Sequence, residues 1–319
     1  MLNSFFKKVL LKNYTTSKIG GIVNYFCLPK NIEELLEAII YIKVDNLPYY
    51  ILGGGSNTIF DENLDSRAVV ICLRDYCGIN KLENKQYKVK AGSSLQSVVD
   101  YAKDHQLSGL TGLNRVPGTL GGAVLGNAGA YGCEIKDVIQ SVVCLDLLTL
   151  EFLTFDNGQS KFSYRDSAYK SNLNLLIIDI TIALKYRENY KEELIEYERI
   201  AGIRDLVYPV GFCSPGSVFK NLLVKGLSVE ALAQVPKEFI MYDKVSVGKL
   251  LESVGAKGRR YGDVMMRSSH ANIMEIVSSQ AKYTDVISLL KSLKEDVYKE
   301  YGIELVEEIR LVKSFRNLI

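Results

Sequence analysis

The chain has 319 residues, of which 47% are hydrophobic and 24% charged. That is the balance of an ordinary globular protein, with length for two or three full cores. A net charge of +2 is too small to draw the whole molecule to nucleic acid or to a membrane surface, so anion binding must be local. Six cysteines (Cys27, Cys72, Cys77, Cys133, Cys144, Cys213) lack any C-x-x-C spacing, and only two histidines accompany them. This excludes a zinc site of the usual kind, leaves no metal expected, and suggests reduced thiols in a cytosolic protein.

The opening Met1-Leu-Asn-Ser-Phe-Phe-Lys-Lys-Val-Leu-Leu-Lys is too short and too lysine-broken for a signal peptide, and no apolar run could span a bilayer. Asn31 and Glu34 have capping-box spacing, and Ile32, Leu35, Leu36, Ile39 and Ile40 follow on one helical face. Tyr49-Tyr-Ile-Leu52 reads as a strand running straight into Gly53-Gly54-Gly55-Ser56-Asn57. This loop is neither G-x-G-x-x-G nor a P-loop, and Thr58-Ile-Phe60 after it looks like strand. Its glycine N–H groups, serine hydroxyl and asparagine amide could still hold a pyrophosphate. Strands are expected over 69–73 and 87–91, then a helix burying Leu95, Val98, Val99 and Ala102.

Residues 109–132 hold eight of the 25 glycines and almost no charge. Such a stretch suits neither a polar surface loop nor a core helix, and points to a ligand-holding loop with backbone N–H groups facing the ligand. Pro117-Gly118 fixes one turn, and Asn127 is embedded in small residues. Strands are expected at 141–147 and 175–182, with the polar Phe162-Ser-Tyr164-Arg165-Asp166-Ser167 between them; taken alone, Arg165 suits a surface salt bridge. A charged, exposed helix over 191–204 offers a domain hinge. Cys213-Ser-Pro-Gly216-Ser217-Val-Phe219-Lys220-Asn221 is a third small-residue loop. Ser246 opens a helix with Val247, Leu250, Leu251 and Val254 inward, stopped by Gly255. His270 alone suits a hydrogen-bonded structural histidine better than a catalyst. The last long helix starts near Thr284, buries Val286, Leu289, Leu290, Leu293 and Val297, and ends at Gly302. A strand over 304–312 would put Glu307 and Glu308 on opposite faces, where charge alone suggests a solvated acidic edge.

In this order the motifs resemble the UDP-N-acetylenolpyruvoylglucosamine reductase family over nearly the whole chain. They are Leu52-Gly-Gly-Gly-Ser-Asn57, Val116-Pro-Gly-Thr-Leu-Gly-Gly-Ala123, Asn127-Ala-Gly-Ala-Tyr-Gly132, Tyr164-Arg-Asp-Ser167, Gly216-Ser-Val-Phe-Lys-Asn221 and His270-Ala-Asn272, closed by Glu308-Ile-Arg310. The resemblance implies an α+β fold: a vanillyl-alcohol-oxidase-type two-part FAD-binding domain (residues 1–72 and 73–205) and a smaller α+β substrate-binding domain (residues 206–319). It implies non-covalent FAD, NADPH as hydride donor, and reduction of UDP-N-acetylglucosamine enolpyruvate to UDP-N-acetylmuramate for peptidoglycan. A cytoplasmic monomer acting on these small molecules, without nucleic acid or membrane partners, is expected.

Residue by residue, the resemblance puts FAD against Gly53, Gly54, Gly55, Ser56 and Asn57, and against Pro117, Gly118, Thr119, Gly121, Gly122, Ala123, Asn127, Gly129, Tyr131 and Gly132. Arg165 would lie over the flavin and bind the enolpyruvyl carboxylate. Ser217 would donate the proton, Glu308 would polarise the intermediate, and Tyr164, Lys220 and Asn221 would sit beside the substrate. The chemistry is consistent with these types. Hydride reaches C3 of the enol ether, and charge develops at C2 and the carboxylate, where a planar guanidinium serves better than an ammonium. A positioned hydroxyl then protonates C2. A protonated Glu308 sheltered from water would serve better than an ionised one.

The chain departs from the pattern at Lys18, at Leu222 after Phe-Lys-Asn, and at Gly262-Asp263-Val264. The short segment between Tyr186 and Pro209 suggests the subtype without an extra substrate-covering loop. The alternatives are a flavin oxidase on the same fold, whose covalent anchor would be sought at Cys133, and a non-catalytic nucleotide-binding module.

Overall fold

A computed structural model describes residues 6–187 and 190–318 of the protein. The reading of the amino-terminal stretch therefore lies, for Met1 to Phe5, outside the described residues. The first unit is a four-stranded sheet in the order Lys7–Leu10, Ile22–Cys27, Val69–Cys72, Tyr49–Leu52. Val69–Cys72 runs parallel to both neighbours and is buried throughout, which is why it reads as an unbroken apolar run. Helix Ile32–Val44 covers one face, and Asn31 caps it by accepting from the Glu34 N–H at 2.9 Å. Its buried stripe is Leu35, Ala38, Ile39 and Ile42, while Ile40 is 47% exposed. The stripe follows the i, i+3, i+4, i+7 spacing and so leaves the expected Ile32 and Leu36 at its edge and Ile40 on the solvent side.

The second unit is a five-stranded antiparallel sheet, ordered Phe152–Asp156, Ile139–Asp146, Leu175–Ala183, Gln86–Lys90, Ile79–Lys81. Helix Leu95–Asp104 buries the four expected residues against it. Leu73 and Tyr76 share a core with Leu145, Leu147, Leu176 and Ile178, so the two units meet along the reverse side of this sheet. Within the glycine-rich stretch a helix does form, Leu120–Leu125, despite Gly121 and Gly122. Thr119 caps it, accepting from the Gly122 N–H at 3.3 Å, and a Cβ on Gly121 would stand 2.8 Å from that of Ala91. The glycine that weakens helix propensity is what lets the helix lie on the strand below.

Helix Tyr190–Val207 is largely exposed, but it is docked rather than hinge-like. Tyr197 is buried against the second unit; its hydroxyl donates to Asp100 at 2.6 Å and its carbonyl accepts from Asn114 Nδ2 at 2.9 Å.

The third unit packs helices Val229–Gln234, Val247–Ser253 and Tyr283–Tyr301 on two small antiparallel sheets. All five expected residues of the last helix are buried, and Gly302 ends it in the left-handed conformation at φ 63°. The closing strand is shorter than the alternation predicts. Only Arg310–Val312 is strand, and it pairs in parallel with Thr58–Phe60, returning the chain to the first unit. No helix among the described residues is long and apolar enough to cross a membrane.

Candidate active site

The two glycine-rich loops pack on each other. A Cβ on Gly54 would stand 2.5 Å from the Gly118 Cα, and Ser56 Oγ donates to the Pro117 carbonyl at 3.2 Å. Arg74, which the sequence reading missed, donates to the carbonyls of Tyr14 and Gly54 at 2.7 and 2.5 Å and holds the first loop from behind. Asn57 donates to the Glu308 carbonyl at 2.9 Å, and its own carbonyl accepts from the Arg310 N–H at 2.8 Å. The hydroxyl and amide expected to face a pyrophosphate thus bind protein backbone. Gly55 has φ 67°, and a Cβ there would lie 2.0 Å from the Tyr14 carbonyl oxygen. Gly55→Ala should therefore cost more than the about 1–2 kcal/mol of left-handed strain alone. The matched control is Gly132→Ala, which has φ 78° and nothing within 4 Å of an added Cβ, and which should show only that strain. Denaturant unfolding of both, with visible absorbance per protein, checks the difference.

Between the first two units and the returning C-terminal segment lies a cavity of about 420 Å³. Gly53, Thr119, Gly121 and Gly122 line it. Of the other expected residues, Gly54, Ser56, Pro117 and Gly118 make the contact between the two loops, Gly55 packs on Tyr14, and Asn57 bonds the Glu308 and Arg310 backbone. Ala123 is buried in the core, Gly129 and Gly132 flank the tip of a hairpin, and Tyr131 lines a separate hollow under helix Tyr190–Val207. Asn127 is fully buried and fastens the neighbouring turn, donating to the Ser163 carbonyl at 2.8 Å.

Most of the remaining lining is aliphatic, and set into it are four aromatic residues, Tyr49, Tyr50, Tyr169 and Phe315, and two arginines, Arg310 and Arg316. Sequence reading missed the aromatic residues, although Tyr49-Tyr50 leads directly into the first glycine loop. Tyr49 Oη is the buried side-chain polar atom without a hydrogen-bond partner among the described residues. Arg310 has no carboxylate at ion-pair distance among them. An orphaned phenol, side-chain-free glycine backbone and a guanidinium without a carboxylate partner fit a flat aromatic group joined to phosphates.

Two residues before Arg310 of the cavity wall, Glu308 joins the second and third units. Arg165 stands at φ 56° at the tip of a tight turn closed by paired Ser163–Asp166 backbone bonds. Its Nε donates to Glu308 Oε1 at 2.9 Å, and its Nη2 to the Gly129 carbonyl at 2.8 Å. Both side chains of the pair are about a fifth exposed, at 23% and 22%. Glu308 is thus the ion-pair partner of Arg165.

Three motifs distant in sequence converge here through the backbone. Ser217 bridges Ile273, the Val218 N–H donates to the Asn272 carbonyl at 2.9 Å, and the Glu308 N–H donates to the Val218 carbonyl at 2.8 Å. The Asn272 amide clasps Phe219, accepting from its N–H at 3.0 Å and donating to its carbonyl at 2.8 Å. Tyr164 Oη accepts from the Asn221 N–H at 3.3 Å, and the Lys244 ammonium stands 4.1 Å from the centre of its ring. Asn221 Oδ1 accepts from the Val247 N–H at 3.0 Å at the start of helix Val247–Ser253, so its amide is partly committed to structure. His270 Nδ1 accepts from the Asn272 N–H at 3.2 Å, and burial lowers its pKa; it is a structural histidine of the Asn272 turn. Asp263 is likewise structural, accepting from Ser278 Oγ at 2.6 Å and Arg260 Nη2 at 2.8 Å.

Cys133 does not line the cavity, and burial pushes its thiol pKa up. His105 stacks on Tyr101 with ring centres 4.0 Å apart, and neither histidine lines the cavity.

Residues 23–149 match the family model of the FAD binding domain, so fold and cavity together define a flavin-dependent oxidoreductase. Residues 208–312 match the model of the UDP-N-acetylenolpyruvoylglucosamine reductase C-terminal domain. Relatives described as UDP-N-acetylenolpyruvoylglucosamine reductase include that of Caldanaerobacter subterraneus subsp. tengcongensis, 32% identical over 95% of this chain and 91% of its own length. That of Aquifex aeolicus is 31% identical over 97% and 96%. The solved UDP-N-acetylenolpyruvylglucosamine reductase of Thermus caldophilus superposes with a TM-score of 0.72 at 28% identity, over 96% of this chain and 98% of that one. The chain belongs to the UDP-N-acetylenolpyruvoylglucosamine reductase family.

Proposed function

We propose that this protein reduces UDP-N-acetylglucosamine enolpyruvate to UDP-N-acetylmuramate at the expense of NADPH, with FAD held non-covalently in the cavity. The observation that carries the reading is the Arg165–Glu308 pair at 2.9 Å, set beside the Ser217 segment by the Glu308–Val218 backbone bond. FAD held there would supply the hydride relay between NADPH and the enol ether. Gly53, Thr119, Gly121 and Gly122 would hold it with the Tyr49 hydroxyl, and Arg310 and Arg316 would meet its phosphates or other anionic edges.

The protein's own residues do the remaining work. Arg165 can turn its fork from Glu308 to the enolpyruvyl carboxylate and neutralise the charge that grows there. Ser217 donates the proton to C2, its backbone fixed on both sides by strand contacts. Glu308 polarises the intermediate from the Arg165 side. Tyr164 and Lys220 face the substrate from the two units, and Asn221 positions the start of helix Val247–Ser253 beside it. A nucleotide-linked substrate places the enzyme in the cytoplasm, and one chain supplies every group named, so a monomer is sufficient.

Anaerobic rapid mixing tests this. NADPH should bleach the flavin, and UDP-N-acetylglucosamine enolpyruvate should restore its colour without oxygen. Colour restored by oxygen alone would make the protein an oxidase, and no bleaching would make it a binding module.

A further inference from the structure

Lys170 is a half-buried cation that no step above uses. It lies in the short helical turn Ala168–Ser171, next to Tyr169 of the cavity wall. Its Nζ donates to the Arg165 carbonyl at 2.9 Å. That carbonyl belongs to a residue in the left-handed conformation, where a non-glycine backbone needs outside support.

The charges around Lys170 come from three elements. Lys220 stands against it from the third unit, Arg310 from the returning strand, and Asp166 from its own loop, the only acid in the group. Burial first, then the Lys220 and Arg310 charges, push its pKa from 10.5 down to about 8. Three cations share one carboxylate at the place where Arg165, Lys220 and the cavity meet. Mutual repulsion of this kind is relieved by an anion.

We propose that Lys170 is a positioning residue that holds Arg165 through its carbonyl and couples binding of the anionic nucleotide substrate to uptake of a proton by the Lys170–Lys220–Arg310 cluster. The proposal rests on the functional reading above for the identity of the ligand. By linkage, an anion that binds better to the charged cluster raises the proton affinity of Lys170, and deprotonation of Lys170 weakens anion binding by the same factor.

The probe is UDP-N-acetylmuramate, which carries the carboxylate and the diphosphate but does not react. Calorimetry on the holoenzyme at about pH 8, in buffers of different ionisation enthalpy, counts protons. Wild type should take up to about half a proton per ligand. Lys170→Met should take up none and bind at least about tenfold more weakly at about pH 7. Lys170→Arg should bind like wild type with no uptake, since arginine stays charged.

A second readout needs neither ligand nor turnover. A base with a lowered folded-state pKa penalises the fold while charged, and the penalty is relieved as pH rises from about 8 towards the unfolded value of 10.5. The melting temperature of wild type, relative to Lys170→Met, should therefore climb across that interval. If Lys170→Met does not fold, wild type against Lys170→Arg decides both measurements. Equal proton uptake in wild type and either variant overturns the proposal, as does tight wild-type binding with no uptake. A wild type that fails to bind UDP-N-acetylmuramate at all overturns the functional reading instead.

Discussion

Ser217→Ala should leave bleaching of the flavin by NADPH within about twofold of wild type and slow reoxidation by the enolpyruvyl substrate by about 10²–10⁴, the weight of a general acid. The separation follows from where the hydroxyl stands. The Ser217 backbone is clamped: Ser217 bridges Ile273, and the following residues are tied to Asn272 at 2.8 to 3.0 Å. Alanine keeps every one of those bonds. The side chain itself has no hydrogen-bond partner among the described residues, so removing it orphans no protein group, and stability should change by less than about 0.5 kcal/mol. What is lost is the proton for C2, which the first half-reaction never needs. Double-mixing stopped flow separates the two phases. If both phases fall together, Ser217 is a binding residue and the proton comes from elsewhere.

The parts of the molecule legible in sequence are those fixed by local periodicity. Helix Tyr283–Tyr301 buries all five expected residues and stops at the expected glycine, because a stripe at helical spacing and a left-handed cap are both properties of neighbouring residues. The glycine loops were legible as places of close backbone approach, but their packing on each other and on Tyr14 was not. Gly54 and Gly55 are required by the approach of Gly118 and Tyr14, segments far away in the chain. Helix Leu120–Leu125 was illegible because two glycines argue against a helix until the strand beneath it is known. The aromatic and arginine lining of the cavity was hidden for the same reason. It is assembled by a parallel pairing of Thr58–Phe60 with Arg310–Val312, which no local pattern encodes.

The site residues divide in a similar way. Motif order singles out Arg165, Ser217 and Glu308, and the fold brings their segments together. Lys170 and Arg74 went unnoticed because a lone cation in sequence says nothing about which carbonyl it will meet.

Glu308→Gln should slow flavin reoxidation by the substrate by about 10²–10⁴ while bleaching by NADPH stays near wild type, and Glu307→Gln should leave both phases within about twofold. Strand alternation could not choose between the neighbours, since both faces of the closing segment carry apolar residues. The structure separates them by breaking the strand. Glu307 bridges Phe219 through the backbone and sends its carboxylate to Lys294 at 2.5 Å, on the helix Tyr283–Tyr301. The chain bends at Glu308, whose N–H is held by the Val218 carbonyl and whose own carbonyl is held by Asn57. Its carboxylate therefore reaches Arg165 across the boundary between units, at 2.9 Å.

Glutamine at 308 keeps the shape and one acceptor for Arg165 but cannot give up or hold a proton, so the loss should fall on turnover rather than on flavin retention. Glutamine at 307 removes a partly exposed ion pair, worth about 0–1 kcal/mol of stability and nothing in the reaction. Arg165→Lys separates the pair's two duties. A lysine can still face Glu308 but cannot present the fork to a carboxylate, so it should weaken substrate use with Glu308 intact. Single-turnover reoxidation of the three variants is the measurement. A slow Glu307→Gln beside a normal Glu308→Gln would move the catalytic carboxylate to the Lys294 side and leave the Arg165–Glu308 pair as a clasp between units.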